Sequence, residues 1–292
     1  MSQKQKIGET KQRGSGWSIG FAIWLYRALG YKTLYYFMYP TAFFYFVVAG
    51  NVKEALRDYY EQIDVEFNNR VYYEHLRVFA ICLVDRFISK IDPQDYSFTY
   101  ENMDLPKKIL SSGSLMLHSH FGGWASSSSG VHVENRINIV MQETMLDGIK
   151  KIENSMGQES QLQVIDVNKG AIHVSVAIAN ALMNDEVVAI MADRASSTNA
   201  ELEVPFFKKM AYFNKNPFQV AYKVDKPIIA YFILLVGMQH YKVEYVHIEM
   251  DRTKKESEAV EEAVMTYVKK YEEIIKQYPN QWFNLYKFWE RK

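Results

Sequence analysis

Two histidines near the middle of the chain are the first candidates for chemistry. The apolar segment 113–117 leads directly into His118 and His120, and the pair Gly122 and Gly123 follows. A histidine side chain titrates near neutral pH and is suited to act as a general base. The two glycines allow backbone amide groups to approach a substrate or a developing oxyanion. A histidine that only caps the end of a strand by hydrogen bonding is the structural alternative.

The same two histidines also raise the question of a metal. In an extended segment, the side chains of His118 and His120 lie on one face, as two ligands of one ion would. No cysteine or clustered acid stands beside them to complete a ligand set. A bound metal is therefore not expected.

Three more clusters place charged or aromatic side chains close together. The run 190–192 ends in Asp193 and Arg194, which form either a local ion pair or an arginine directed at an anionic phosphate or carboxylate. The segment 204–209 combines two phenylalanines with two lysines, which suits a lipid chain below a phosphorylated headgroup and equally an amphipathic loop. The aromatic segment 281–289 either packs on the core or anchors at a membrane.

The elements that must position these residues alternate between strands and helices. Apolar runs predict strands at 113–120, 137–142, 163–167, 187–191 and 227–236. Helical spacing predicts two or three helices at 52–90 and further helices at 144–155, 170–184, 217–224 and 257–278. This order predicts an α/β fold with a mainly parallel or mixed sheet covered by helices, in which active sites lie beyond the carboxyl ends of strands.

The chain is predicted to divide into a helical, membrane-associating region at 1–106 and an α/β domain at 107–292. Residues 1–32 carry six basic side chains against one acidic side chain, and residues 33–52 carry no charge. Pro40 interrupts the uncharged run and is expected to break or kink a helix there. A shallow aromatic anchor or helical hairpin in the cytoplasmic leaflet, beside anionic headgroups, is expected rather than a full span. A buried helix of a soluble bundle is the alternative.

Composition excludes several classes of protein. Of the 292 residues 48% are hydrophobic, and the 34 basic side chains equal the 34 acidic ones, so a disordered chain or a tail that coats nucleic acid is excluded. Cys82 is the single cysteine, which excludes an intramolecular disulfide and a multi-cysteine metal site. The chain also lacks a Walker loop, a dinucleotide fingerprint and a Gly-x-Ser-x-Gly nucleophile motif.

The order of motifs carries a resemblance to a known family. After a basic aromatic N-terminus come His-Phe-Gly-Gly-Trp at 120–124, Ala-Asp-Arg at 192–194, Val-Pro-Phe-Phe-Lys-Lys at 204–209, Lys-Pro-Ile-Ile-Ala at 226–230 and Gln-Trp-Phe at 281–283. This order resembles the lysophospholipid acyltransferase superfamily. Within it, the chain looks like the branch of the lauroyl/myristoyl acyltransferases of bacterial lipid A biosynthesis and related glycolipid acyltransferases.

The resemblance implies an O-acyltransferase at the cytoplasmic face of the bacterial inner membrane. Such an enzyme moves a fatty acyl group from a thioester of acyl carrier protein or coenzyme A to a hydroxyl of a membrane glycolipid, such as a lipid A precursor. It needs neither a metal nor a bound cofactor, and its partners include a membrane surface but no nucleic acid.

The resemblance assigns the general base to His120, but the expected acid is missing. The family places Glu or Asp five positions after the histidine, where this chain has Ala125. Loss of such an orienting acid costs about ten-thousandfold in a serine protease. Four explanations of the missing acid remain open. An acid from elsewhere in the chain replaces it, or another group orients His120. Alternatively, catalysis is weak or lost, or position 125 was engineered from Glu. The candidate acids are Glu134, Glu143 and Asp193, and the other candidate groups are His118 and Ser126.

By position, the remaining motif residues are expected to contact the substrate. Arg194 is expected to bind a phosphate of the acceptor or the donor, and the other candidates line an acyl or lipid path: Phe121, Trp124, Phe206, Phe207 and Lys208. Two further hypotheses compete with the acyltransferase. One is a non-catalytic lipid-binding protein that kept the fold, and the other is a metal-dependent hydrolase that uses His118 and His120.

Overall fold

The structure, a computed structural model, describes residues 16–124, 135–141, 162–195 and 197–290. Its helices are α1 (Gly16–Val48), α2 (Gly50–Gln62), α3 (Asn69–Ile91), α4 (Asp104–Ser111), α5 (Ala171–Met183), α6 (Asn216–Val224) and α7 (Glu256–Gln277). Its strands are β1 (Ser97–Tyr100), β2 (Ser114–His118), β3 (Ile137–Met141), β4 (Leu162–Asp166), β5 (Val187–Met191), β6 (Glu201–Phe206), β7 (Lys209–Asn214), β8 (Ile228–Gly237) and β9 (His240–Ile248). The predicted helix 144–155 lies outside the described residues, as do Ala125, Ser126, Glu134 and Glu143.

Seven strands form one sheet in the order β1-β9-β8-β2-β5-β3-β4. The strands β8, β2, β5, β3 and β4 are parallel, whereas β9 is antiparallel to β8, and β1 is parallel to β9. A separate antiparallel hairpin consists of β6 and β7. The predicted α/β fold, a mainly parallel or mixed sheet covered by helices, is confirmed.

Both faces of the sheet are buried, as is usual where parallel strands carry helices on either side. All five residues of β2 are buried. Leu115 and Leu117 join a core with α2, α5, α6 and α7, whereas Met116 joins a core with α1, α3 and α4. Each large apolar side chain buried in this way contributes about 1.5–3 kcal/mol. Packing on both faces therefore fixes the carboxyl end of β2.

The carboxyl ends of β2 and β5 lie side by side in the sheet. His118 of β2 pairs with Met191 of β5, and the N–H of Ala192 donates to the carbonyl of His118 at 2.9 Å. The strands are far apart in sequence, so this pairing brings segment 118–120 beside segment 192–194. The carboxyl edge of parallel strands is where α/β proteins bind ligands.

The N-terminal helix differs from its prediction at Pro40. Helix α1 continues through Pro40, and non-helical dihedral angles occur instead at Gly30, with φ 77° and ψ 171°. Glycine adopts positive φ readily, and proline removes one backbone hydrogen bond. Beyond Pro40, Ala42 is buried, and the hydroxyl of Tyr73 in α3 donates to the carbonyl of Tyr39 at 3.1 Å. Packing against α3 therefore holds the helix together at Pro40, where the sequence alone predicts a break or a kink.

A buried carboxylate joins α1, α3 and the sheet. Asp85 in α3 accepts hydrogen bonds from the hydroxyls of Tyr31 (2.6 Å), Tyr96 (2.9 Å) and Tyr241 (2.5 Å). Burial raises the pKa of Asp85 to about 6, against the opposing effect of these three hydrogen bonds. The cluster fixes the ring of Tyr241 in β9, which lies against the loop that follows β2.

The N-terminal region contributes to the sheet and has an apolar surface. Strand β1 precedes residue 107 and pairs with β9. The domain boundary after residue 106 stays a prediction. None of the helices in the described ranges has the length and apolar character needed to cross a membrane. Large apolar side chains are exposed along α1, among them Trp24, Leu29, Phe43, Phe44 and Val47.

Candidate active site

The loop after β2 carries His120 and lies directly on neighbouring backbone. The N–H of Gly122 donates to the carbonyl of Gln281 at 2.9 Å, and the N–H of Gly123 donates to the carbonyl of Ile233 at 2.7 Å. Gly122 has φ 53°, and a Cβ at this position would lie 2.1 Å from the carbonyl oxygen of Ile233. Only glycine fits such a close approach.

These contacts correct the expected role of the two glycines. The sequence suggested that the amides of Gly122 and Gly123 stabilise an oxyanion. Both amides already donate to protein carbonyls and are not available to a substrate. The glycines instead set the path of the loop, which leaves the sheet at His118 and carries His120 beyond its edge.

Asp193 reaches His120 from the end of the neighbouring strand. The imidazole Nδ1 of His120 lies 3.0 Å from Oδ1 and 3.1 Å from Oδ2 of Asp193, and the backbone N–H of His120 donates to Oδ2 at 3.0 Å. An ionised carboxylate only accepts hydrogen bonds, so in the neutral ring this pairing assigns the proton to Nδ1 and leaves Nε2 as the basic atom. The side chain of His120 is 25% exposed, whereas that of Asp193 is fully buried.

Asp193 is held in its charged form. Burial alone would raise the pKa of this carboxyl group, but the charge and hydrogen bonds of His120, together with the charge of Arg194, hold the pKa well below its usual range. The side-chain amide of Asn284 also donates to Oδ2 of Asp193, at 3.0 Å. The carboxylate therefore accepts three hydrogen bonds, from the ring and the backbone of His120 and from Asn284.

Arg194 lies behind this pair and contacts protein groups. Its Nε donates to Oδ1 of Asn284 at 2.5 Å, and its Nη2 donates to the carbonyl of Phe283 at 3.4 Å. The guanidinium carbon lies 4.9 Å from the centroid of the Tyr286 ring. In the structure, Arg194 therefore contacts Asn284 and other residues of the segment after α7. The phosphate contact expected from the sequence stays a prediction.

Comparison with protein families gives this geometry a context. Residues 71–291 match the family model of the bacterial lipid A biosynthesis acyltransferases. The chain belongs to this family. The match runs from α3 through the sheet to the segment after α7 and includes His120, Asp193 and Asn284. No curated protein matches the chain significantly. The resemblance drawn from the order of motifs is confirmed, and the protein is an acyltransferase of lipid A biosynthesis.

In this lipid A acyltransferase, His118 has a different environment from His120. His118 is buried at the end of β2, and its ring stacks on Tyr231 with centroids 6.4 Å apart. Burial lowers the pKa of His118 to about 4, so the ring is neutral at neutral pH. Nδ1 of His120 pairs with Asp193. In the part of the chain that the structure describes, no group of three His, Cys, Asp or Glu side chains is placed to hold a metal.

Of the four aromatic residues expected along a lipid path, the structure brings Trp124 to the candidate base. The rings of Trp124 and His120 meet edge to face, with centroids 5.7 Å apart. Phe121 and Phe206 are fully buried instead, where Phe121 packs edge-on against Tyr271 and Phe206 stacks near the same ring. Neither has exposed surface in this structure. Their expected place along an acyl or lipid path stays a prediction.

Phe207 and Lys208 connect the β6–β7 hairpin to α7 and to the segment after α2. The backbone N–H of Phe207 donates to the carboxylate of Glu272 in α7, and Lys208 pairs with Asp64 after α2. Their expected contact with a substrate stays a prediction.

Two residues at the site were not predicted from the sequence. Asn284 directly follows the Gln-Trp-Phe motif, and this adjacency was the available signal. Arg86 of α3 carries no signal, because it is one arginine within a helical pattern. Its guanidinium carbon lies 5.6 Å from the ring centroids of both Phe87 and Trp124, and burial lowers its pKa.

Proposed function

We propose that the protein transfers a fatty acyl group from a thioester to a hydroxyl of a lipid A precursor, with His120 as the general base. The observation that carries the proposal is the bond between Nδ1 of His120 and Asp193, which leaves Nε2 to accept a proton. The pair follows the carboxyl ends of β2 and β5, where α/β enzymes place their chemistry. Membership of the lipid A acyltransferase family supports the choice of reaction.

In the proposed reaction, Nε2 of His120 removes the proton of the acceptor hydroxyl while the hydroxyl oxygen attacks the thioester carbonyl carbon. A C–O bond forms, and negative charge develops on the carbonyl oxygen. Collapse of this intermediate breaks the C–S bond, and His120 returns the proton to the leaving thiolate. The products are an ester of the acceptor and the free thiol of acyl carrier protein or coenzyme A. The step uses neither a metal nor a bound cofactor.

Asp193 takes the role that the family pattern gives to an acid five positions after the histidine. Position 125 is alanine, but Asp193 bonds to Nδ1 from the neighbouring strand and stays ionised in the interior. A buried carboxylate in this position fixes the tautomer of the imidazole and stabilises the imidazolium that forms. Of the accounts left open by the sequence, an acid from elsewhere in the chain is the one we adopt.

Arg86 is our candidate for the cation that meets a phosphate of the substrate. It replaces Arg194 in this role, because Arg194 is engaged by Asn284 and Phe283. Arg86 lies over the ring of Trp124, and Trp124 lies against His120. Guanidinium groups suit phosphate oxygens because their donors form a planar fork.

We propose that the protein acts on the surface of the cytoplasmic face of the bacterial inner membrane. The exposed apolar side chains of α1, such as Phe43 and Phe44, support this proposal because such patches mark interaction surfaces. The exposed Arg27 and Lys32 on the same helix suit anionic headgroups.

Sedimentation with lipid vesicles tests the surface proposal. The Phe43→Asp/Phe44→Asp variant should stay in the supernatant when the parent protein sediments with vesicles of phosphatidylethanolamine and phosphatidylglycerol. Ile172→Asp is a matched control, because Ile172 is exposed on α5. Equal sedimentation of the double variant and the parent would overturn the assignment of this face.

The proposed reaction is tested by transfer from acyl thioesters to a lipid A precursor. Dodecanoyl and hexadecanoyl thioesters of acyl carrier protein and of coenzyme A are the donors, and thin-layer chromatography of labelled product gives the rate. His120→Ala should abolish turnover, whereas His247→Ala at the opposite edge of the sheet should not change it. Ala125→Glu should leave turnover near that of the parent, because Asp193 already supplies the acid.

Three outcomes would contradict the proposal. Full turnover by His120→Ala would remove the histidine from the reaction. Absence of turnover in the parent with every donor, together with binding of the precursor, would favour the non-catalytic lipid-binding protein. Turnover that appears only in Ala125→Glu would show that Asp193 does not replace the acid at position 125.

A further inference from the structure

The segment that follows α7 lies directly against the loop that carries His120. The N–H of Phe283 donates to the carbonyl of His120 at 2.7 Å, and the carbonyl of Gln281 accepts from Gly122 at 2.9 Å. The side-chain amide of Gln281 also makes two hydrogen bonds to the backbone of Leu235, of 2.8 and 2.9 Å. Segment 281–284 is thus fixed both to the loop that carries His120 and to strand β8.

Asn284 is the one side chain of this segment that touches the carboxylate behind His120. It is fully buried, its Nδ2 donates to Asp193, and its Oδ1 accepts from Nε of Arg194. The two partners fix which way the amide points, because a carboxylate accepts and a guanidinium donates. A flipped amide would place its oxygen against the carboxylate and its N–H₂ group against the guanidinium.

Arg194 in turn is held by its own contacts. The Tyr286 ring lies under the guanidinium at 4.9 Å, and the carbonyl of Phe283 accepts from Nη2. The chain of contacts therefore runs from Arg194 to Asn284, from Asn284 to Asp193, and from Asp193 to Nδ1 of His120. A guanidinium only donates and a carboxylate only accepts, so the direction of each hydrogen bond in this chain of contacts is fixed.

We propose that Asn284 and Arg194 are positioning residues for the acyl transfer, and that they act in series on Asp193 and through it on His120. The inference rests on the proposed function of His120 as the general base. Asn284 holds Oδ2 of Asp193, and this keeps both carboxylate oxygens within hydrogen-bond distance of Nδ1 of the imidazole. Arg194 holds Asn284 in the orientation that donates to the carboxylate.

Kinetics of single and double variants test this series. Asn284→Ala should lower kcat about 10- to 100-fold, the range for a hydrogen bond to a charged group. The KM values for the acyl thioester and for the acceptor should stay unchanged. Arg194→Ala should lower kcat by a similar or smaller factor. Because the residues act in series, Asn284→Ala/Arg194→Ala should be no slower than Asn284→Ala.

A conservative variant separates positioning from charge. Arg194→Lys keeps a cation near Asp193 but loses the Nε donor that Asn284 accepts. Positioning predicts that Arg194→Lys is as slow as Arg194→Ala, whereas a purely electrostatic role predicts that it is as fast as the parent. Asn138→Ala, another buried hydrogen-bonded asparagine, and Arg252→Ala, another arginine 4.9 Å from a tyrosine ring, are controls that should keep the parent kcat.

The tautomer of His120 gives a readout that does not need turnover. In protein labelled with ¹⁵N-histidine, the neutral form of the His120 ring in the parent should carry its proton on Nδ1 and leave Nε2 unprotonated. Asn284→Ala and Arg194→Ala should convert part of this signal to the other tautomer. A residue that only stabilises the fold would lower the melting temperature without changing the tautomer.

The outcomes separate this inference from the proposed function. If His120→Ala and Asp193→Asn lose turnover while Asn284→Ala keeps it, or if the two single effects add in the double variant, the series is wrong and the base stands. A raised KM for the phosphorylated acceptor in Arg194→Ala would return Arg194 to substrate binding. If the parent has no turnover, an unchanged His120 tautomer in both variants still overturns the series.

Discussion

Replacement of Asp193 by asparagine changes one atom of the site and should reverse the protonation of His120. Oδ2 of the carboxylate accepts from two fixed donors, the backbone N–H of His120 and Nδ2 of Asn284, and lies 3.1 Å from Nδ1 of the imidazole, whereas Oδ1 lies 3.0 Å from Nδ1. An asparagine has one side-chain oxygen, and this oxygen should occupy the position of Oδ2, because the two fixed donors point there. Its N–H₂ group then faces Nδ1 and donates to it.

The consequence for catalysis follows from the tautomer. Once Nδ1 accepts a hydrogen bond, the proton of the neutral ring moves to Nε2, which then cannot accept the hydroxyl proton. The matching substitution in a serine protease lowers kcat by about ten-thousandfold, and we expect a loss of about the same order here. KM should change little, because Asp193 is fully buried behind the histidine and does not touch substrate.

The assay is the rate of thioester consumption, read as free thiol, for the parent, Asp193→Asn and the exposed control Asp225→Asn. The tautomer of His120 in ¹⁵N-labelled protein should be followed in parallel, and thermal unfolding shows whether each variant is folded. A loss smaller than about tenfold in folded Asp193→Asn would refute the reasoning, since it would lie far below the effect of a reversed tautomer. Persistence of a protonated Nδ1 would refute it as well.

Three further predictions follow from contacts around the site. Burial raises the pKa of Asp85 from 3.8 to about 6, so the folded state binds this proton more tightly than the unfolded state. The free energy of unfolding should therefore fall by about 3 kcal/mol as the pH rises between these two values, and then level off. Denaturant unfolding at several pH values should show this slope in the parent and lose it in Asp85→Asn; an equal slope in both would contradict the assignment. Gly123→Ala should destabilise the protein by about 1–3 kcal/mol and lower kcat, because its Cβ would lie 2.4 Å from Cε1 of Tyr241. Gly20→Ala, where the Cβ would enter open space, should change neither quantity. A melting temperature of Gly123→Ala equal to that of the parent would show that the Tyr241 ring moves aside. Arg86→Ala should raise KM for a phosphorylated acceptor about tenfold and leave a dephosphorylated acceptor unaffected, and an equal change for both acceptors would exclude a phosphate contact.

The fold was largely predictable because its strands are short apolar runs between polar segments. Strand β5 has the predicted bounds, and the strands predicted at 163–167 and 227–236 differ from β4 and β8 by one residue at each end. The continuation of α1 through Pro40, where the sequence predicts a break or a kink, has a tertiary origin. The packing of α3 against Tyr39 stabilises a helix that local preferences disfavour, and this contact joins residues 34 positions apart.

The site was less predictable because its contacts span long distances in the chain. His120 and Asp193 each stand after an apolar run, but the pairing of β2 with β5 that joins them depends on strand order. Asn284 is 91 residues from Asp193, and its role depends on a hydrogen bond rather than a local pattern. The burial of Phe206 was likewise hidden, since a phenylalanine beside two lysines is typical of a surface loop and of a hairpin end alike.

The position of Asn284 so late in the chain sets an order of events during synthesis. A nascent chain that has emerged from the ribosome only through α7 contains His120 and Asp193, but neither the carbonyl of Gln281 that holds the loop nor the amide of Asn284. Because synthesis proceeds from the N-terminus, such a chain contains all the strands that the structure describes before it contains the side chain that holds Asp193. The helix that we assign to the membrane surface is then translated long before the base is oriented, and a chain that ends after α7 should consume thioesters more slowly than the full chain.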